Sequence, residues 1–142
     1  MTVLDAYAII AYLRGEPSSA EVATLLREPA RLMAVDAAEV CDQMVRVFGC
    51  DPDAVDADLA LLCHAGLSLM PVSADIAMEA GRIRARRYHR EQAAVSLADC
   101  IAASAALAYR EPLATADPAL ARILRAEGGA VHPLPDSKGR RP

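Results

Sequence analysis

A chain of 142 residues, 54% hydrophobic and only 4% aromatic, has material for one domain with a sizeable core. Its net charge of −4 gives no sign of a uniformly basic nucleic-acid binder. No run approaches the ~20 apolar residues of a membrane span. The apolar stretch from Ala6 to Leu13 is short, sits beside Asp5 and has no basic flank, so no secretory leader is expected and a cytoplasmic protein is. The cysteines Cys41, Cys50, Cys63 and Cys100 form no C-x-x-C pair, which speaks against a zinc site and for small buried hydrophobes.

In chain order, Thr2 to Leu4 reads as a short buried strand. Ala6 to Arg14 reads as a helix stopped by Gly15 and Pro17. Ser18, with Glu21 three residues on, looks like a capping box opening a second helix whose face carries Val22, Leu25 and Leu26. Arg31 to Val35 reads as the second strand. Asp36 to Phe48 follows as a helix with Gly49 at its end, and Asp51-Pro52 opens the next one. Leu67 to Val72 is the third strand, and Ser73 caps a helix reaching about Tyr88. After a loop over 89–95, Ser96 to Tyr109 is an alanine-rich helix. Leu113 to Ala116 is the fourth strand, Pro118 to Ala126 a short helix, and Ala130 to His132 an edge strand after Gly128-Gly129. Alternation of strands and helices predicts an α/β domain with a mostly parallel central sheet over residues 1–132. Residues 133–142 hold three prolines, a glycine and four charges, and read as a disordered tail.

Four acids stand out against this pattern. Asp5, Glu39 and Asp117 each follow an apolar run by a few residues, and Asp99 lies in the first turn of a helix. In an open parallel sheet the C-terminal strand ends open onto one crevice, where ligands bind. Taken singly, each acid reads as a helix cap, because caps are far commoner than ligands. Taken together, four acids at one rim repel one another and make sense around a divalent cation, which points to a metal-dependent enzyme acting on phosphodiesters. Other chemistries fare worse. There is no phosphate-binding glycine loop and no G-x-S-x-G elbow, and His64, His89 and His132 are scattered. A dehalogenase-type site needs a second Asp two residues after the first, where Tyr7 stands. Arg82, Arg84, Arg86, Arg87 and Arg90, with His89, form a basic run that reads equally as an RNA grip or as a solvated helix face; Lys138, Arg140 and Arg141 form a basic tail.

Five segments in order carry a family resemblance: Val3-Leu4-Asp5-Ala6, Leu13-Arg14-Gly15-Glu16-Pro17, Ala37-Ala38-Glu39-Val40, Leu97-Ala98-Asp99-Cys100-Ile101-Ala102 and Leu113-Ala114-Thr115-Ala116-Asp117. From Val3 to His132 the chain resembles PIN-domain proteins, and most of all the VapC-type toxins of bacterial toxin–antitoxin pairs. The resemblance implies a three-layer α/β/α fold. It also implies an endoribonuclease dependent on Mg²⁺ or Mn²⁺ that leaves a 5′-phosphate and a 3′-hydroxyl. Asp5, Glu39, Asp99 and Asp117 fall on the family's acidic positions. Thr115 falls where a Ser or Thr helps to hold water or metal. Asp5 and Asp99 are the expected direct ligands, Glu39 a direct or water-mediated one, and Asp117 with Thr115 the completion of the site or the holder of a second ion.

Two positions depart from the family pattern: Tyr7 replaces a small hydroxyl residue, and Asp36 stands where Asn is frequent. The implied partners are an RNA substrate, a cognate antitoxin placing an Arg or Lys near the acids, and a second copy of the chain. Ile9, Leu13, Val22 and Leu25 are candidates for an antitoxin groove, against the stronger prior of core packing. An RNA-processing PIN nuclease without a toxin role, and a non-catalytic binding protein with a retained acidic pocket, stay open as alternatives.

Overall fold

The computed structural model describes residues 1–142. Five strands, β1 (Thr2–Leu4), β2 (Ala30–Met33), β3 (Leu67–Met70), β4 (Leu113–Thr115) and β5 (Val131–Pro133), pair in the order β3-β2-β1-β4-β5. Every pairing is parallel. Seven helices connect and cover them: α1 (Ala6–Arg14), α2 (Ser19–Leu25), α3 (Ala34–Asp42), α4 (Pro52–His64), α5 (Ala74–Arg87), α6 (Leu97–Tyr109) and α7 (Pro118–Ala126).

Strand side chains alternate between faces, and this divides the core in two. Leu4, Leu32 and Ala114 pack with Ile9, Val22, Val40 and Leu59 from α1 to α4. Val3 and Leu113 pack with Ile83, Ala103, Leu120 and Leu124 from α5 to α7. Each such leucine or isoleucine is almost fully buried and contributes roughly 1.5–3 kcal/mol. The result is the expected three-layer α/β/α arrangement. No helix is long and apolar enough to cross a membrane. Ile9 and Val22 are fully buried, so they are core rather than docking surface, and Leu13 and Leu25 are half-buried against the same cluster.

Several local readings need correction. α3 begins at Ala34, directly after β2, with Met33 in the cap position and no capping side chain. Asp36 is therefore inside the first turn rather than at its start. The helix expected to run to Phe48 changes at Gln43 into a π-helical turn, Gln43–Val47, a form that often marks functional regions. Ser18 makes no capping bond, its backbone being already helical (φ −82°, ψ −7°), and Glu21 turns instead to His132 Nε2 at 2.7 Å and Arg141 Nη2 at 2.9 Å. α1 does end at Gly15 (φ 65°), a left-handed conformation that costs glycine no Cβ clash.

The segment expected as a disordered tail lies against the domain. Leu134 is fully buried in the larger core cluster, and its N–H donates to Thr115 O at 2.9 Å. The Tyr7 hydroxyl donates to Pro135 O at 3.1 Å. One apolar side chain between two prolines is enough, because the prolines restrict the unfolded chain and lower the entropy lost on docking.

Candidate active site

The strand order reverses between β1 and β4, adjacent parallel strands whose connections leave in opposite directions. Asp5 follows β1 and Asp117 is the second residue after β4, so both stand at this switch point, where open α/β sheets form a ligand crevice. Asp5 caps α1, its Oδ1 accepting the Ala8 N–H at 2.8 Å. Asp117 caps α7, its Oδ1 accepting the N–H groups of Ala119 at 2.7 Å and Leu120 at 3.2 Å. At the start of α6, Asp99 Oδ2 accepts the Ser96 N–H at 2.7 Å while Ser96 Oγ accepts the Asp99 N–H at 3.0 Å. Glu39 projects from α3 and accepts the Gln43 side-chain amide at 2.8 Å. Three of the four acids are thus both helix-capping groups and walls of one pocket, which all four line together with Tyr7, Ser96, Asp136 and Ser137. The capping bonds restrict the rotamers of these acids, so the helices themselves aim the carboxylates.

Thr115 does not line the pocket. It is fully buried behind it, where its hydroxyl stands near enough to Asp5 to favour the ionised carboxylate and accepts the Asp117 N–H at 3.1 Å. It ties the two strand-end acids together.

The sequence reading passed over Asp36 as a departure from a pattern. It is 2% exposed, and its Oδ2 has no partner. Burial, then Asp5, Glu39 and Asp99, push its carboxyl up to about 8. Asp5 is pushed up to about 7, mainly by burial, with Asp99 and Asp117 adding to it against the Thr115 hydroxyl and the Ala8 N–H. Glu39 is raised by burial and then by Asp99. No lysine or arginine lines the pocket, so nothing offsets this concentration of negative charge. No three of these side chains are gathered tightly enough to cage an ion by themselves; they surround a space. Asp136 and Ser137 were also missed as site residues, because they were assigned to the tail.

The basic run lies elsewhere. Arg82 pairs with Glu79 at 3.3 Å, Arg86 with Glu79 and Glu127 at 2.8 Å each, and Arg87 with Glu127 at 2.7 Å. Arg84 donates to Val95 O at 3.1 Å and lies over the Tyr88 ring, 4.5 Å from its centroid. Arg90 is exposed in the loop after α5. None of the five lines the acidic pocket.

A PIN domain family model matches residues 2–125. No curated protein sequence matches. Among solved structures the chain is similar to VapBC2 of Rickettsia felis bound to a promoter DNA fragment (TM-score 0.69, 16% identity, covering 92% of this chain and 96% of that one). It is similar to the sarcin–ricin-loop-cleaving toxin VapC20 of Mycobacterium tuberculosis (TM-score 0.67, 14% identity, 86% and 94%). It is also similar to FitAcB of Neisseria gonorrhoeae (TM-score 0.63, 23% identity, 92% and 96%). At these identities the likeness is one of fold. The family model, covering most of the chain on the sheet order and pocket just described, shows that this protein belongs to the PIN domain family.

Proposed function

We propose that this protein is a Mg²⁺- or Mn²⁺-dependent endoribonuclease acting as the toxin of a toxin–antitoxin pair. The observation that carries the reading is the single pocket lined by Asp5, Glu39, Asp99 and Asp117 at the switch point of the sheet. The donor set suits a hard cation, since every candidate ligand is a carboxylate oxygen. The orphaned Asp36 Oδ2 and the upward shifts of Asp5 and Asp36 mark a site short of positive charge.

Asp5 and Asp99 are the candidate direct ligands, with Glu39 beside them and Asp117 completing the ring. When bound, the cation supplies an acidified water and neutralises phosphate charge. The residues of the chain do the rest. Thr115 holds Asp5 and Asp117 in register across β1 and β4. Asp36 stands behind the ring as a buried carboxyl held above the usual carboxylate range. Arg84 and Arg90, the members of the basic run outside the Glu79 and Glu127 ion pairs, are the candidates to grip the RNA backbone. The toxin role rests on similar structures described as a toxin–antitoxin complex of Klebsiella pneumoniae and as the sarcin–ricin-loop-cleaving toxin VapC20, and it carries with it a cognate antitoxin and a second copy of the chain as partners.

Purified protein should cut RNA with Mg²⁺ or Mn²⁺, stop in EDTA, and lose the activity in Asp99→Asn. Equal cutting by wild type and that variant would defeat the metal site. Expression without a partner should arrest growth; harmless expression of a protein that cuts RNA in vitro would favour the RNA-processing alternative.

A further inference from the structure

Tyr7 and Pro135 are 128 residues apart, yet their hydrogen bond joins the first turn of α1 to the last segment of the chain. That bond is one of several fixing the segment. Leu134 is buried, and its N–H extends the β4–β5 ladder to Thr115 O. Asp136 closes a tight turn, its Oδ1 accepting the N–H groups of Lys138 at 2.8 Å and Arg140 at 2.9 Å. Arg141 then pairs with Glu21 on α2 at 2.9 Å. The turn is thereby held at the rim of the acidic pocket, where Asp136 and Ser137 join Asp5, Glu39, Asp99 and Asp117 as lining residues.

The chemistry of that lining is one-sided. Its five acidic side chains offer carboxylate oxygens, which accept hydrogen bonds when ionised. A phosphodiester and the ribose oxygens flanking it need donors. The hydroxyl-bearing residues on the pocket wall are Tyr7, Ser96 and Ser137. Tyr7 directs its proton to Pro135 O, whereas Ser96 Oγ accepts the Asp99 N–H in the cap of α6, which fixes it at the helix start and leaves its own proton free to donate. Ser137 is exposed at the rim.

We propose that Ser137 contacts the sugar–phosphate backbone of the substrate and that Tyr7 is the positioning residue that holds it there through Pro135. This deepens the ribonuclease reading and rests on it for the identity of the ligand. Tyr7 lines the pocket and reaches the C-terminal segment through this bond.

The test uses the full chain with a labelled oligoribonucleotide and Mg²⁺, reading turnover, binding by fluorescence anisotropy and amide exchange. Ser137→Ala should raise KM and weaken binding about three- to tenfold, the size of one lost hydrogen bond, with kcat within about twofold on the same scale. Ser137→Thr, which keeps the hydroxyl, should restore both. Tyr7→Phe keeps the ring and loses only the hydroxyl. It should raise KM similarly and speed exchange at the Leu134 amide, with circular dichroism unchanged. Unchanged KM and binding in Ser137→Ala overturn the contact. Tyr7→Phe with lower kcat but wild-type KM and exchange overturns the positioning role. A protein that binds the oligonucleotide without cutting it sinks the nuclease reading while the Ser137 contact survives; one that neither binds nor cuts sinks both.

Discussion

The pocket at the ends of β1 and β4 and the basic face of α5 are both dense in charge, yet they are built on opposite rules. On α5, Arg82, Arg86 and Arg87 are matched to Glu79 and Glu127 across α5 and α7. The match is tight enough to hold Glu127 down at about 2, through Arg86 first and Arg87 second. In the pocket, Asp5, Asp36 and Glu39 are all raised and no cation of the chain stands among them. Charges that neutralise one another glue two helices together and leave little over. Charges left unopposed in a buried crevice destabilise the fold, and a protein retains them when a ligand supplies the missing sign.

The most direct way to break this contrast is to remove a pocket charge without changing its shape. Asp5→Asn should lower RNA cleavage by at least about 100-fold, in the range seen when one electrostatic contact to a transition state is lost, while circular dichroism stays native. Residual activity near wild type would mean that the pocket acids are structural caps alone.

A second prediction concerns the metal-free protein. Asp5 and Asp36 have folded values of about 7 and about 8, both above the usual carboxylate range. The folded state therefore holds these protons more tightly than the unfolded one. Their contribution to stability is complete below about pH 4, falls as pH rises, and is lost above pH 8. Unfolding free energy in EDTA should decline across that window by up to about 1.4 kcal/mol per pH unit for each proton released, and the melting temperature should fall with it. Mg²⁺ should offset the loss at the alkaline end. Asp36→Asn should flatten the slope. A profile flat with pH in EDTA, for wild type as for the variant, would remove the case for unopposed charge.

The basic run sharpens the comparison from the other side. Arg84→Ala or Arg90→Ala should weaken RNA binding about three- to tenfold, as for a charged hydrogen bond at the low end of its range. Arg86→Ala should stay within about twofold on that scale, because its guanidinium already belongs to Glu79 and Glu127. A larger loss from Arg86→Ala than from Arg90→Ala would reverse the assignment. The smallest effect is expected at Glu127→Gln. It releases two surface ion pairs, costs about 0.5–1 kcal/mol measured by urea titration, and leaves cleavage unaltered.

How much of this was legible beforehand differs residue by residue. Asp51-Pro52, the Ser96–Asp99 box and Asp117-Pro118 announced their helices correctly, and each cap is seen in the structure. The helix start expected at Asp36 misled. The chain passes from β2 into α3 without a loop, so Met33, not Asp36, takes the cap position. Ser18-x-x-Glu21 misled for another reason: the Ser18 backbone is already helical, and Glu21 is claimed by His132 and Arg141, more than a hundred residues away. The convergence of Asp5 and Asp117 could be inferred, since both lie just beyond strands that had to be parallel. The inclusion of Asp136 and Ser137 could not, because a Pro- and charge-rich terminus looks the same whether or not one leucine within it finds a core.

The amino-acid order by itself determined the alternation of elements, the helix starts marked by capping residues, the apolar stripes and the four acids at strand ends. These depend on interactions between residues three or four apart, and the chain carries them wherever it folds. Tertiary structure alone decided that Asp36 is buried without a counter-charge, that the arginines of α5 are matched to Glu79 and Glu127, and that Tyr7 meets Pro135. Each depends on which groups from distant segments come to share a low-dielectric space, and that is set by the packing of the whole sheet and its helices, not by any local run of residues.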